Sequence, residues 1–489
     1  MTGASPVPGT APLGGDPAGI ASVVSGGTVR LLLSDPWAGR FAAAAAGDDE
    51  LQTIAARSRF AFGWSVGDRQ AVVTCTGGTV GVSGGDQNVT EPTFTLAGPP
   101  AVWADWLCPV PPAGCHDVMA MIVTGAIRLQ GDPTAFGQHL RVTRRLLDLA
   151  RISCLHLVGP IASPAAPDLG PTPGGSGHGP GPTPGDPGPG LEDVAAGYTT
   201  VEVDGQRLPV FYEEAGAGPP VLLLHTAGSD ARQYRYLLAD RDYRPYRLVA
   251  FDLPFHGRSL PPVGWWRRPY RLSTDAYAAV VEAVVDRLGL DRPVLVGASM
   301  AAQIILELVL RRPRGYRAAV AFGAVDVVGG SPASCLHQPE VNEAEVVPSW
   351  VAGLASPTTD EARRQELWWC YSQSGAGVFA GDAAFFMEDW DATARLPSLD
   401  TAACPVHLLA GEYDYSRPPA RVRATAGLIP GATFAELAGC GHFPMVEAPD
   451  QLKAHLLPIL AAASGGPGGE ADSASEDMRL AEPMEEDRR

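Results

Sequence analysis

The sequence contains no Cys-x-x-Cys pair. Its eight cysteines (Cys75, Cys108, Cys115, Cys154, Cys335, Cys370, Cys404 and Cys440) are scattered. That spacing excludes the usual zinc and dithiol redox motifs and suits small apolar thiols in a reducing compartment. No run approaches the roughly 18 consecutive apolar residues of a spanning helix, so no transmembrane segment is expected. The N-terminal MTGASPVPGTAPLGG lacks the basic and apolar regions of a secretory signal, and a cytoplasmic location is expected. With that location, Asn88-Val89-Thr90 reads as a chance match to a glycosylation sequon. Basic residues are in deficit: 36 Lys and Arg against 54 Asp and Glu leave a formal net charge of −18. Nucleic acid and anionic membranes attract clustered Lys and Arg, so neither is an expected partner. No internal repeat is found.

What is present is enough apolar material for large cores, at 45% hydrophobic over 489 residues, which suits two or three domains. Residues 1–19 are rich in Gly and Pro and read as loose. Pro and Gly also dominate 159–197, where no apolar period survives, so this stretch reads as a linker. From about Ser464 the chain turns low in complexity and then acidic, which reads as a solvated tail over 464–489. Two folded blocks remain, 20–158 and 198–463. In the second, short apolar runs at Val221–Leu224, Leu248–Phe251, Pro293–Val296 and Val406–Ala410 alternate with helical stretches such as Thr274–Leu288 and Met300–Arg311. Alternation of this kind predicts an α/β fold with a mostly parallel sheet, its functional loops at the carboxyl ends of the strands.

After the run Val294-Leu295-Val296 comes Gly297-Ala298-Ser299-Met300-Ala301, and then a helix. A tight turn between strand and helix needs small neighbours, which Gly297 and Ala298 supply. A serine there is either a helix N-cap or a nucleophile. A nucleophile needs a base, and His442 lies in the glycine-rich Gly439-Cys440-Gly441-His442-Phe443-Pro444 after a further strand, Thr433–Leu437. The base needs an orienting acid. Asp414 follows the strand ending at Ala410 and is the first choice, with Glu412 and Asp326 as alternatives.

These residues resemble the α/β-hydrolase family with a serine nucleophile, over essentially all of 198–463. The resemblance rests on the strand–turn–helix elbow, on the order Ser299, Asp414, His442, and on two loops. One is Leu224-His225-Thr226-Ala227-Gly228-Ser229, similar to the family's His-Gly-x segment with Thr226 where Gly is usual. The other is Asp252-Leu253-Pro254-Phe255-His256-Gly257-Arg258-Ser259, similar to its D-x-P-x-x-G-x-S loop. Ala301 departs from the final Gly of G-x-S-x-G. The resemblance implies an oxyanion hole from the N–H groups of Ala227 and Met300. It gives His225 a bracing role and implies no metal or cofactor. A serine at the elbow argues against the branches that use aspartate there.

Between Val325 and Leu399 strands give way to helices. The family comparison makes this a helical cap over about 326–398, rich in aromatic residues. Thr226, Trp368, Trp369 and Phe386 are expected to line a pocket for a hydrophobic small molecule, although each cap ring can equally serve packing.

The first block has a different rhythm. Phe60, Phe62, Trp64 and Val66 alternate with small or polar residues, Gly67-Asp68 breaks the run, and Ala71–Cys75 follows, which reads as a hairpin. Thr93–Leu96 reads as a strand, Ala101–Leu107 and Asp117–Val123 as helices, Ala126–Leu129 as a strand and Pro133–Arg151 as one long helix. The strand followed by the Trp103 and Trp106 helix, and Gly125–Asp132 before the last helix, resemble the sterol-carrier-protein-2-like α+β domain over about 45–152. That implies a lipid-like ligand, with an inert solubility or dimerisation module as the alternative. The expected activity is therefore serine hydrolysis of an ester, or of a carbon–carbon bond of a ketone-type substrate. The alternatives are a hydrophobic-ligand carrier with a vestigial hydrolase scaffold, and acyl transfer by the same triad. The oligomeric state is not legible.

Overall fold

The computed structural model describes residues 28–84, 90–158, 191–329, 336 and 338–465. The loose 1–19 segment, residues 159–190 of the expected linker, Asn88 and Val89 of the sequon, and the tail beyond 465 lie outside the described residues, whereas the last three residues of the expected 159–197 linker open a strand, Ala195–Val203. The chain divides into two compact units. The first takes Met1–Cys115, Gly125–Gly131 and Val142–Asp168, and the second takes His116–Thr124, Asp132–Arg141 and Leu169–Arg489.

In chain order the helices up to the linker are α1 (Thr28–Leu31), α2 (Asp35–Ala46), α3 (Asp49–Ile54), α4 (Pro100–Trp106), α5 (Val118–Val123), α6 (Pro133–Gln138) and α7 (Leu140–Val158). The strands are β1 (Arg59–Val66), β2 (Arg69–Thr76), β3 (Thr79–Gly84), β4 (Phe94–Gly98) and β5 (Arg128–Gly131). They form a five-stranded sheet in the order β3-β2-β1-β4-β5. The hairpin turns at Gly67, whose φ of 61° suits glycine. It pairs β1 with β2 antiparallel, while β1 and β4 run parallel. Rings fill the space against this sheet: Phe62 stacks on Phe94 at 5.7 Å, and Trp64 meets Trp37 at 5.7 Å, Trp103 at 5.2 Å and Trp106 at 5.8 Å. The indole N–H groups of Trp37 and Trp103 donate to Ala150 O at 2.9 Å and Ser65 O at 3.0 Å.

Several features differ from the sequence reading: β3 was not expected, and β5 begins at Arg128 rather than Ala126. The single helix expected over Pro133–Arg151 is broken at His139 into α6 and α7. Gly137 and His139 are weak helix formers, and the His139 N–H turns back to Ala135 O and Phe136 O as a cap. The helices α1 to α3 carry no strong period and were not anticipated.

The second unit holds β6 (Ala195–Val203), β7 (Gln206–Ala215), β8 (Pro220–Leu224), β9 (Arg247–Phe251), β10 (Val294–Ala298), β11 (Ala318–Phe322), β12 (Val406–Gly411) and β13 (Thr433–Leu437). Its helices are α8 (Arg235–Ala239), α9 (Thr274–Arg287), α10 (Met300–Arg311), α11 (Glu343–Ala352), α12 (Glu361–Ser372), α13 (Val378–Ala384), α14 (Pro419–Leu428), α15 (Pro444–Glu447) and α16 (Pro449–Ala463). The strands form one eight-stranded sheet, ordered β13-β12-β11-β10-β8-β9-β7-β6. From β13 to β9 all neighbours are parallel; β7 pairs antiparallel with both β9 and β6. β8, β10 and β11 are buried along their whole length, which is why they read as unbroken apolar runs. The edge pair β6 and β7 mixes exposed and buried positions and gave no such run. Among the described residues between β11 and β12, the expected helical region contains α11, α12, α13, a π-turn at Phe385–Asp389 and a 3-10 turn at Leu396–Ser398.

Candidate active site

Four loops leave the carboxyl ends of β8, β10, β12 and β13, where open parallel sheets place ligands. The loop after β10 is the tightest. Ser299 alone makes the reversal between β10 and α10, at φ 57° and ψ −121°. Such a backbone costs on the order of 1–3 kcal/mol and persists only where its surroundings enforce it. Here the Ser299 N–H donates to Phe322 O at 2.8 Å. A Cβ on Gly297 would sit 2.7 Å from Ala301 Cβ and 3.2 Å from Leu224 O. The Ala301 methyl thus occupies the space that Gly297 leaves open, which accommodates the departure from a final glycine. Among the described residues the Ser299 hydroxyl makes no capping bond to α10, so the helix does not consume it.

Asp414, beyond β12, accepts from His442 Nδ1 at 2.5 Å through Oδ2. Its Oδ1 accepts from the N–H groups of Ser416 (3.0 Å) and Arg417 (2.9 Å) and from Ser416 Oγ (2.9 Å). Burial pushes the Asp414 carboxyl up, but His442 and the Arg417 N–H outweigh it and hold the group below the ordinary carboxylate range. The two alternative acids lie elsewhere. Glu412 accepts from Gly439 N at 2.7 Å, and Asp326 accepts from Thr393 Oγ1 at 3.1 Å. The structure brings Asp414 and His442 together; among the described residues no hydrogen bond joins His442 to Ser299.

The His442 loop is fixed by its own backbone. The His442 N–H donates to Leu354 O at 3.0 Å, and the buried Glu447 carboxylate accepts from Gly441 N (3.0 Å) and Phe443 N (2.7 Å) on either side. Glu447 also receives Ser356 N at 2.7 Å and Thr359 Oγ1 at 2.8 Å. Burial still pushes its carboxyl above the ordinary range.

In the loop after β8, Thr226 N donates to Gln233 Oε1 at 3.1 Å and Gly228 N to Asp382 Oδ2 at 2.7 Å. Between them, the Ala227 N–H donates to no backbone acceptor among the described residues, and neither does that of Met300. His225 is fully buried. Its Nε2 accepts from Leu253 N at 3.1 Å, so Nδ1 carries the proton and donates to Thr226 O at 2.9 Å. Burial lowers its pKa, and the neutral ring braces two loops. Asp252 accepts from Ala231 N at 2.8 Å and Arg258 N at 2.8 Å, tying the loop after β9 to the one after β8.

Of the side chains expected to line a pocket, Thr226 is buried and bonded to Tyr371 OH at 2.5 Å. Phe386 packs in the core with the Arg417 guanidinium 5.5 Å from its ring centroid. Trp368 lies under the Arg141 guanidinium at 4.2 Å, and Trp369 is 60% exposed. The sequence reading missed Gln233, Asp382, Ser416 and Glu447, and took Tyr371 only as one of the aromatic residues of the helical region. Only Ser416, two residues from Asp414, had a local signal. Gln233 reaches Thr226 across 7 positions and Asp382 reaches Gly228 across 154, while Glu447 holds the backbone N–H groups on either side of His442.

Residues 221–455 match the family model described as Alpha/beta hydrolase family. The match lies within the second unit, which has the alpha/beta hydrolase fold with a mostly parallel sheet. Among curated relatives, the polyketide synthase ThaQ of Burkholderia thailandensis is 27% identical over 241 residues, covering 46% of this chain and 11% of that one. Haloalkane dehalogenase 2 of Mycobacterium bovis is 26% identical over 270 residues, covering 52% and 92%. The chain spans 11% of ThaQ, 31% of an acetoin-cleaving acetyltransferase component and 42% of a putative non-heme haloperoxidase. Among solved structures, the thermophilic esterase from Thermogutta terrifontis aligns with TM-score 0.48 and 20% identity over 55% of this chain and 99% of that one. A putative aryl esterase from Burkholderia cenocepacia aligns with TM-score 0.48 and 19% identity over 55% and 100%. The family match leaves the first unit, a separate α/β region, outside its bounds.

Proposed function

We propose that the alpha/beta hydrolase domain cleaves an ester of a hydrophobic small molecule through Ser299, His442 and Asp414. The observation that carries this reading is the buried Asp414–His442 pair, set on the same edge of the sheet as a serine at a positive-φ elbow. With Nδ1 engaged by Asp414, His442 has Nε2 free to take the Ser299 proton as Oγ attacks the ester carbonyl. The oxyanion then faces the N–H groups of Ala227 and Met300. His442 returns the proton to the leaving alkoxide, and a water activated at the same Nε2 attacks the acyl-enzyme and releases the acid. Asp414 keeps its charge throughout and orients the ring.

Turnover of a p-nitrophenyl ester should fall by on the order of 10⁴-fold or more in Ser299→Ala. A fluorophosphonate probe should label Ser299 in the native chain. Full turnover by that variant, or labelling at another residue, overturns the reading. The aromatic residues of the cap support an apolar substrate, since Phe379 lies against Gly228 and Tyr371 against Thr226. For the first unit the reading is a sterol-carrier-like module for a lipid-like ligand. The sheet order β3-β2-β1-β4-β5, with α4 following β4, supports it.

A further inference from the structure

We propose that Asp382, on cap helix α13, is a positioning residue for the oxyanion hole: it holds the Gly228 N–H and so aims the neighbouring Ala227 N–H at the reacting carbonyl. The inference rests on the hydrolase reading above. Asp382 is fully buried, and among the described residues its side-chain bonds run to other segments of the domain. Oδ2 accepts from Gly228 N at 2.7 Å and from His256 Nε2 at 2.8 Å, and Oδ1 accepts from Tyr270 OH at 2.8 Å. One carboxylate therefore ties the loops after β8 and β9, and the segment leading into α9, to the cap.

The effect on the loop after β8 follows from which amides are engaged. Thr226 N–H is pulled toward Gln233, and Gly228 N–H toward Asp382. The amide between them, on Ala227, is thereby fixed without being consumed, as an oxyanion donor must be. The conformation depends on Gly228 at φ 66°, where a Cβ would lie 2.8 Å from the Phe379 ring. Phe379 belongs to α13 as well, so the helix that supplies the carboxylate also packs against the loop it holds.

His256 supplies the charge that makes a buried carboxylate tolerable. Its Nε2 faces Asp382, and its Nδ1 lies 3.0 Å from Pro254 O. An acceptor beside each ring nitrogen suits the doubly protonated, imidazolium form of the ring. Burial works against that charge, but Asp382 outweighs it and the His256 pKa is raised. The adjacent His225 ring, 4.9 Å away, stays neutral. The Asp382 charge is thus balanced within the cluster and remains an acceptor for Gly228.

The test is Asp382→Asn in the full chain, which keeps the volume and removes the charge. Three quantities are read: steady-state kinetics on a p-nitrophenyl ester, the inhibition constant of a trifluoromethyl ketone that mimics the tetrahedral adduct, and the thermal midpoint. Deleting one oxyanion donor outright costs on the order of 10²–10³ in kcat, so misaimed donation should lower kcat roughly 10- to 100-fold. KM should stay within about threefold, and trifluoromethyl ketone binding should weaken by the same factor as kcat. A purely structural role would lower the midpoint without weakening the adduct mimic relative to substrate. Unchanged kcat and inhibition constant in folded protein overturn the proposal, as does a rise in KM alone. Should Asp382→Asn fail to fold, His256→Asn is measured by the same readouts and with the same criteria. If Ser299→Ala is inactive while Asp382→Asn turns over like the native chain, this proposal alone falls. If Ser299→Ala keeps full turnover, the hydrolase reading falls and takes this proposal with it.

Discussion

Asp414 carries a buried charge that four donors stabilise, three of them from the two residues Ser416 and Arg417 and the fourth from His442. Asparagine at 414 would keep most of this geometry but could hold His442 in the wrong tautomer, with Nε2 protonated and unable to accept from Ser299. Asp414→Asn should therefore reduce kcat by on the order of 10³–10⁴ with little change in KM. Steady-state kinetics would refute this by showing a loss of tenfold or less. The same residue sets an acid limb. Its folded pKa lies below the unfolded value of about 3.9, so the folded state binds fewer protons than the unfolded state near that pH. The stability it contributes is fully present above the unfolded value and is lost as pH falls through the folded one. The gap in unfolding free energy between the native chain and Asp414→Asn should be constant from pH 5 to 7 and shrink below about pH 4. A gap that stays constant down to pH 3 would contradict the assignment.

At the scale of the element, β10 and α10 decide whether a serine can be a nucleophile. Every residue of β10 is buried, as is α10 from Met300 to Val309, so the strand and helix can meet only through a one-residue reversal. Gly297 permits the close packing beneath it. Gly297→Ala would press a methyl against Ala301 and the Leu224 carbonyl, and overpacking of this kind costs roughly 1–3 kcal/mol. The urea unfolding midpoint should fall accordingly, and esterase turnover should fall with it as the elbow shifts. An unchanged midpoint together with unchanged turnover would show that the turn does not need the glycine. This element was readable in the sequence because all its determinants are local: an apolar run, two small residues and a helical period within eighteen positions. The edge hairpin of β6 and β7 was not, because its side chains face solvent on one side and pack on the other without a clean period. The break between α6 and α7 was missed because amphipathic spacing carries across His139 even though the backbone does not.

At the scale of the whole molecule, two compact units carry separate questions. The sterol-carrier-like reading of the first can be tested by titrating a fluorescent fatty acid into the full chain carrying Ser299→Ala, which prevents turnover. Saturable binding that is lost when Trp106 is replaced by alanine, but kept when Tyr371 is replaced by alanine, would assign the ligand to the first unit. The opposite pattern, or no binding, would leave that unit as a packing module. The ring-on-ring contacts of Phe62, Trp64, Trp103 and Trp106 make the second result a genuine alternative, since side chains occupy much of the space against the sheet.

The sequence by itself determined the parallel-sheet architecture of the second unit, the elbow at Ser299 and the chain order of the candidate acid and base. Each of these is written in short apolar runs and in the turn residues that follow them. Only the tertiary structure decided that Asp414 rather than Glu412 or Asp326 meets His442: all three lie near strand ends, but the turn after β12 gives Glu412 to the Gly439 N–H and Asp414 to His442, while Asp326 bonds to Thr393. It alone joined Asp382 to His256 across 126 positions, and Glu447 to both flanks of His442. Hydrogen bonds between distant segments leave no period in the sequence. They form because burial obliges each charged group to find a partner, and the fold determines which partner is within reach.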